Sequence, residues 1–396
     1  MLIVLVVDSF ADKSNGTSMT AARFATALQH AGHSVRVVAP HVEGEGFYPV
    51  RTRYIPIVSE FSRPQHMVFG KPDKAVLERA FAGADVVHLF LPFKLEQVAI
   101  KVAQSMRIPY MAAFHLQPEH ITYNIGLQNL APLNRFIFWL FHRRFYRHIH
   151  HIHCPSKLIK DELERAGYGG KKYVISNGFD PSFKAGDSGV ESRAEQEMRQ
   201  EIQAADKKAS APIHITMVGR YSPEKRQDLL IKAIAQNPYR DRIHLHLKGI
   251  GPRESKLKKL AQSLPNAVDF GFLPPHELVK LLQQTTLYIH AAEVEGEAIA
   301  CLEAIACGVV PVIADSKVSA TSQFALDHRS LFRAGDANDL SNKITYWIEH
   351  EKEREAQGER YAKAAQNYTL ESSIAKAITM YEEVIADFGA YYANRP

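Results

Sequence analysis

Arg220 and Lys225 stand five residues apart in the run Gly219-Arg220-Tyr221-Ser222-Pro223-Glu224-Lys225. A guanidinium offers a planar fork of donors and an ammonium a point charge, so two cations fixed on one loop suit a diphosphate. The plain alternative is a solvated basic loop. A second group, Glu295-Gly296-Glu297-Ala298-Ile299-Ala300-Cys301-Leu302-Glu303, carries Glu295 and Glu303 eight residues apart, with Glu293 and Glu297 beside them. Gly296 permits an unusual turn. Residues from Ala298 onward read as a helix whose N-terminal N–H groups are a ready site for a nucleotide phosphate. Clustered glutamates at a helix start are also ordinary compensation of the helix dipole.

Histidines invite other chemistry. His115 follows the apolar segment Tyr110–Phe114; a lone imidazole is more often packed or at the surface, but its place after a strand allows it to face a ligand. His142, His148, His150, His151 and His153 crowd one stretch, and His151 and His153 fall on one face of a strand. Cys154 points to the other face, and neither a carboxylate cluster nor a D-x-D-like pair completes a metal site. No metal and no cofactor is therefore expected. A third feature is Leu133–Arg147, in which Ile137, Phe141 and Phe145 share one helical face. Arg143 and Arg147 lie opposite, while Phe136, Trp139 and Leu140 add apolar bulk. Aromatics beside arginines suit a bilayer interface, although a helix covering a sheet must also bury one face.

The elements that must hold these residues alternate along the chain. Leu2–Val7 is a β-branched run read as a buried parallel strand, followed by helix Thr17–His30, ended by Gly32, and strand Ser34–Ala39. Strands are expected at Asp85–Phe90, Tyr110–Phe114 and His151–Pro155, and helices at Lys94–Gln104 and Leu133–Arg147. The second half repeats the rhythm. Its strands are Ile213–Gly219, Ile243–Lys248, Leu287–His290 and Val309–Ala314; its helices are Arg226–Gln236, Pro252–Gln262 and Ala298–Ala306. The expectation is an α/β fold of two Rossmann-like, doubly wound domains facing a cleft, with ligands at the carboxyl ends of the strands. The boundaries read as 1–183, a polar linker or insertion at 184–211, a second domain at 212–370, and a C-terminal helix at 371–396 packing back on the first domain.

A length of 396 residues fits two or three domains, and 46% apolar with 23% charged residues is ordinary for a globular chain. The longest apolar runs, Met1–Val7 and Phe136–Phe141, are too short to span a bilayer. Met1–Val7 also lacks the basic flank of a signal peptide. Cys154, Cys301 and Cys307 make no disulfide framework, which implies a reducing, cytoplasmic setting. The net charge of +5 divides into +7 over residues 1–180 and −2 over the rest. A basic half attracts nucleic acid or an anionic membrane surface, or is scattered solvated lysine. No nucleic-acid reading module accompanies it.

The run G-R-x-x-x-E-K at Gly219–Lys225, and E-x7-E with E-A-x-A-x-G-x-x-P-V-I at Glu295–Ile313, resemble the retaining glycosyltransferases of family 4, of GT-B fold. Ser176-Asn177-Gly178-Phe179-Asp180 and Cys154-Pro155-Ser156 match further segments of that family. The resemblance covers almost the whole chain. It implies that Arg220 and Lys225 hold the donor diphosphate, Glu303 the ribose hydroxyls and Glu295 the transferred sugar. Gly219, Glu297, Ala298 and Ile299 complete the donor site, and His115 is similar to a histidine that contacts the donor sugar. Where the family usually has two glycines after the first strand, Asp12–Ser18 has one, Gly16. The nearest similarity is to bacterial diacylglycerol glucosyltransferases and related lipid glycosyltransferases. It is carried by Phe114–His120, Glu297–Glu303 and Ser316–Leu331.

The expected activity is retaining transfer of a hexose from a UDP-sugar to a membrane lipid hydroxyl. Trp139, Arg143, Arg144 and Arg147 would face the lipid acceptor and anionic membrane surface, so a peripheral place on the inner face of the cell membrane is expected. A soluble sugar or polysaccharide acceptor, a galactosyl donor with ceramide, and a non-catalytic nucleotide-binding membrane-surface protein remain open alternatives.

Overall fold

The computed structural model describes residues 1–10, 16–56, 59, 68–128, 130–186 and 211–393. Most of the expected linker, 187–210, and residues 12–15 of the loop before Gly16 lie outside them. The chain divides into two compact units. The first comprises Met1–Gly178, Val294–Glu297 and Tyr368–Pro396; the second comprises Phe179–Glu293 and Ala298–Asn367.

In the first unit, β1 (Leu2–Val6) is fully paired between parallel neighbours, as its unbroken branched run requires. Helix α1 (Gly16–His30) leads to β2 (Ser34–Pro40) and β3 (Phe47–Val50). Helix α2 (Lys74–Phe81), capped by Asp73 on the Val76 N–H, leads to β4 (Val86–Leu89). Then come α3 (Lys94–Ser105), β5 (Tyr110–Ala113), α4 (Pro118–Asn124) and α5 (Ala131–Arg144). β6 (His151–Cys154), α6 (Lys157–Arg165) and β7 (Lys171–Val174) complete a parallel sheet of order β3-β2-β1-β4-β5-β6-β7. Alternate residues of β1 feed opposite layers, as a doubly wound sheet demands. Val4 and Val6 pack with Leu77, Leu95 and Phe141 of α2, α3 and α5. Ile3 and Leu5 pack with Phe24 and Leu28 of α1 and with Met380 and Tyr381 of the last helix, Leu370–Ala393.

The second unit repeats the plan. β8 (Ile213–Val218), α7 (Gln227–Ala235), β9 (Ile243–Lys248), α8 (Glu254–Ala261), β10 (Asp269–Gly271) and α9 (Pro275–Gln283) form its first half. β11 (Leu287–His290), α10 (Ile299–Ala306), β12 (Pro311–Asp315) and β13 (Leu331–Arg333) follow, giving a parallel sheet of order β10-β9-β8-β11-β12-β13. Helices α11 (Ala337–Glu349), α12 (Glu351–Ala365) and α13 (Leu370–Ala393) end the chain, the last belonging to the first unit. In both sheets the order reverses beside the first strand, so the loops after β8 and β11 flank the switch point where open α/β sheets bind ligands.

Several expected elements end a residue or more early, and one such end bears on a predicted site. The helix read as Leu133–Arg147 runs from Ala131 to Arg144, and Arg147 lies on a 3₁₀ turn, Tyr146–His148. Phe145 leaves the helical region (φ −137°, ψ −67°), and both Phe145 and Tyr146 are buried. The Tyr146 hydroxyl donates to the Ala113 carbonyl at 2.9 Å, which draws the chain off the helix axis.

Candidate functional site

The Gly219–Lys225 loop is held by its neighbour from β9. The Gly219 N–H donates to Lys248 O and the Tyr221 N–H to Ile250 O, each at 2.9 Å. A side chain at Gly249 would place its Cβ 2.1 Å from Gly219 O, and one at Gly251 would reach 2.6 Å from Tyr221 O. Both glycines are therefore required for this approach, and neither was singled out in the sequence. Tyr221 is buried with its hydroxyl donating to Leu247 O at 2.6 Å, so it anchors the loop rather than facing solvent.

Behind Arg220 sits the fully buried Glu224. Its Oε1 accepts from Arg220 Nη2 at 3.1 Å and from the Ser222 hydroxyl at 2.5 Å, while Gln227 Nε2 donates to Arg220 O at 2.8 Å. The stem of Lys225 lies over Gly219, its Cδ 3.7 Å from where a Cβ would stand. Further ion pairs tie the same edge together. Arg226, a left-handed residue at φ 58°, pairs with Glu293. Arg253 pairs with Asp228 at 3.2 Å, and the Glu293 N–H donates to Glu224 O at 2.9 Å. Thus the loops after β8 and β11 are joined directly at the switch point of this unit. The sequence places Glu224 and Glu293 in these same short runs but does not show that they and Asp228 pair with the arginines.

Ala298 is the N-cap of α10 and Ile299 its first residue, with no side chain capping the first turn. Glu303 lies one turn in and is 6% exposed; Cys301 and Leu302 are fully buried core residues. Burial, reinforced by the charge of Glu303, pushes the Cys307 thiol up to about 12 and keeps it inert.

The other predicted residues belong to the first unit. Gly16 begins α1, with open space where a side chain would project. His115 stacks on Phe90 (ring centroids 5.4 Å) and meets His153 edge-on at 5.5 Å. His88 completes the group, its Nδ1 2.8 Å from the Tyr381 hydroxyl of α13. His153 Nε2–H donates to Ile175 O at 2.7 Å. Burial, reinforced by the neighbouring imidazole, holds His115 and His88 well below the usual histidine range. His115 is thus a neutral hydrogen-bonding group and not a proton donor at neutral pH. His151 instead bonds Tyr173 at 3.0 Å, so the crowded histidines divide between separate networks. Glu295 and Glu297 lie in the short segment that packs in this unit. Glu297 Oε2 accepts the Asn177 N–H at 2.7 Å.

Ile137 and Phe141 of α5, and Phe145 just after it, pack in the core. Phe136 and Trp139 are 54% and 48% exposed and stack at 5.7 Å. The Arg143 guanidinium lies 5.1 Å from the Trp139 ring centroid, so it shares the side of the aromatics instead of standing apart from them. Arg144 and Arg147 are exposed nearby in the chain, as are Leu127 and Leu130. None of the described helices is long and apolar enough to cross a membrane.

Two family models match: Glycosyltransferase Family 4 over residues 14–183 and Glycosyl transferases group 1 over residues 198–364. The chain belongs to the family-4 glycosyltransferases. Its two Rossmann-like units are those of the GT-B fold. It is 24% identical, over 79% of its length and 71% of the relative's, to an alpha-monoglucosyldiacylglycerol synthase of Streptococcus pneumoniae. It is 57% identical to the catalytic domain of a cholesterol-alpha-glucosyltransferase from Helicobacter pylori, covering 40% of this chain and all of that one, with a TM-score of 0.39. Anabaena Alr3699/HepE, solved with UDP, aligns over 98% of this chain and all of its own at 19% identity and a TM-score of 0.68. In this glycosyltransferase Gly219–Lys225 follows β8 and Glu303 lies on α10 after β11, both in the second unit, while Glu295 lies in the first.

Proposed function

We propose that this glycosyltransferase moves a hexose, glucose first among the candidates, from a UDP-sugar to the hydroxyl of a membrane lipid, with 1,2-diacylglycerol as the leading acceptor. Retention of anomeric configuration follows from the family resemblance. On the donor side, breaking the glycosidic bond puts negative charge on the departing diphosphate. Arg220 and Lys225 are prearranged to stabilise that charge, and the first-turn N–H groups of α10 can add to it. Glu303 would take the ribose hydroxyls and Glu295 those of the sugar. His115, neutral, can hydrogen-bond an uncharged hydroxyl. No metal is needed in this scheme, because the cations are supplied by side chains.

The observation that supports a lipid acceptor is the exposed Phe136–Trp139 stack with Arg143 across it. Aromatic rings at headgroup depth and arginines on lipid phosphates fit one surface. Each basic residue close to an anionic surface contributes ~1 kcal/mol, so Arg143, Arg144 and Arg147 together supply ~3 kcal/mol, or roughly 100-fold in partition. Changing all three to glutamine should cut co-sedimentation with anionic vesicles by about that factor and leave UDP binding intact. Unchanged sedimentation would remove the membrane reading. Product analysis by mass spectrometry should use UDP-glucose, UDP-galactose and GDP-mannose as donors. Diacylglycerol, ceramide, a sterol and a soluble sugar should serve as acceptors. Transfer to the soluble sugar alone would overturn the lipid assignment.

A further inference from the structure

We infer that Glu297 is a positioning residue, whose carboxylate, bound to the turn at Ser176–Gly178, sets the placement of Glu295 rather than touching the donor itself. The inference rests on the proposed role of Glu295 at the sugar.

Val294–Glu297 packs in the first unit, although Glu293 before it and Ala298 after it belong to the second. Within the first unit, Glu297 supplies a side-chain anchor for this short segment. Its Oε2 accepts the Asn177 N–H at 2.7 Å, and the polar side chains of Ser176 and Asn177 lie near enough to favour its charged form. That anchor is rigid. Gly178 follows at φ +72°, and a Cβ there would stand 2.7 Å from Leu370 Cα, so the turn is pressed against the start of α13 and admits only glycine. On the other side, Gly296 fits against Pro155, Gln117 and Ile159, where a Cβ would stand 3.8 to 3.9 Å from each. The path from α13 to Glu295 is therefore continuous: Leu370, Gly178, Asn177, Glu297, Glu295.

The donors that reach Glu297 favour its ionised form, so the anchor is strongest as a carboxylate. The groups facing it are the neutral Ser176 and Asn177, the Tyr368 phenol, and the Glu295 carboxylate. Burial raises Glu297 to about 7, the charge of Glu295 adds to the rise, and the three donors oppose it. It thus titrates in the working range. Protonation loosens the anchor, so the turnover rate should climb as pH passes from 6 to 8.

Kinetics and binding of the full chain across that range test this. Glu297→Gln keeps an oxygen for the Asn177 N–H but cannot ionise, so its kcat should be flat where the parent rises. Glu297→Ala should lower kcat roughly 10- to 100-fold, the effect of losing a charged hydrogen bond, with UDP affinity within about twofold of the parent. It should also erase the affinity difference between UDP-sugar and UDP. That difference needs no acceptor, so it remains readable if the lipid assignment fails. If the alanine variant does not fold, the glutamine variant still decides. A parental pH profile in Glu297→Gln, or equal loss of UDP and UDP-sugar affinity in Glu297→Ala, would overturn the inference.

Discussion

His153 sets a measurable acid limit on the first unit. It is fully buried on β6, donates to Ile175 O, and sits among His88, His115 and Phe24. Burial lowers it from 6.5 to about 4. The unfolded chain binds a proton at this residue below about 6.5, while the folded chain does not until about 4. Stability is therefore full above 6.5 and falls as pH drops through that window. At pH 5 the gap is about 1.5 units, or ~2 kcal/mol at 1.36 kcal/mol per unit. His88 and His115 act in the same direction. Raised carboxyls oppose them: Asp8 at about 6 and Glu162 at about 7 bind protons in the folded state first and favour mild acid. A difference measurement isolates His153. His153→Gln keeps an N–H donor for Ile175 O but has no proton to gain. Hydrogen exchange of the β6 peptide, corrected for intrinsic rates, should show the parent losing ~2 kcal/mol more protection than the variant between pH 8 and pH 5. Equal losses would refute the assignment of that acid sensitivity to a buried neutral His153.

Arg220→Ala or Lys225→Ala should each lower kcat/KM by roughly 10- to 150-fold, the equivalent of ~1.5–3 kcal/mol for a charged hydrogen bond; near-normal transfer in steady-state assays would contradict their role at the diphosphate. Activity should survive EDTA, and complete loss restored by Mg²⁺ or Mn²⁺ would show that the side-chain cations do not suffice. Glu303→Gln should weaken UDP and UDP-sugar alike in calorimetry, whereas Glu295→Gln should damage transfer and spare UDP; equal effects on UDP would collapse the distinction.

The strands and helices that carry these residues were legible where local pattern decides structure. β1 is a branched run, α1 ends at a glycine, and β8 and β11 precede loops dense in charge. What was illegible depends on approach between distant segments. Gly249 and Gly251 look like ordinary loop glycines until the Gly219–Tyr221 backbone is laid against them. Glu224 stands in the Gly219–Lys225 run with nothing local to show that it is buried under Arg220. The end of α5 is invisible for a similar reason. The run of aromatics and arginines continues past Arg144, and only the tertiary pull on Tyr146 from Ala113 stops the helix. The family resemblance places Glu297 among the donor-binding residues. Its contact is with Asn177, 120 residues away, which no local pattern encodes.

The pairing of Arg220 with Glu224 bears on how the donor loop works. A guanidinium carries five N–H donors, and Glu224 occupies one side of that fork at 3.1 Å. Because the carboxylate is itself fixed by Ser222 and buried, it orients the arginine. Side-chain freedom that a mobile surface arginine would lose on meeting a diphosphate is already lost in folding. Arg226 and Arg253 are held in the same way by Glu293 and Asp228. Positive charge at this edge is thus framed by carboxylates, which limits mutual repulsion among the arginines and keeps their geometry fixed. Electrostatic stabilisation of a leaving diphosphate depends on that fixity more than on the number of cations.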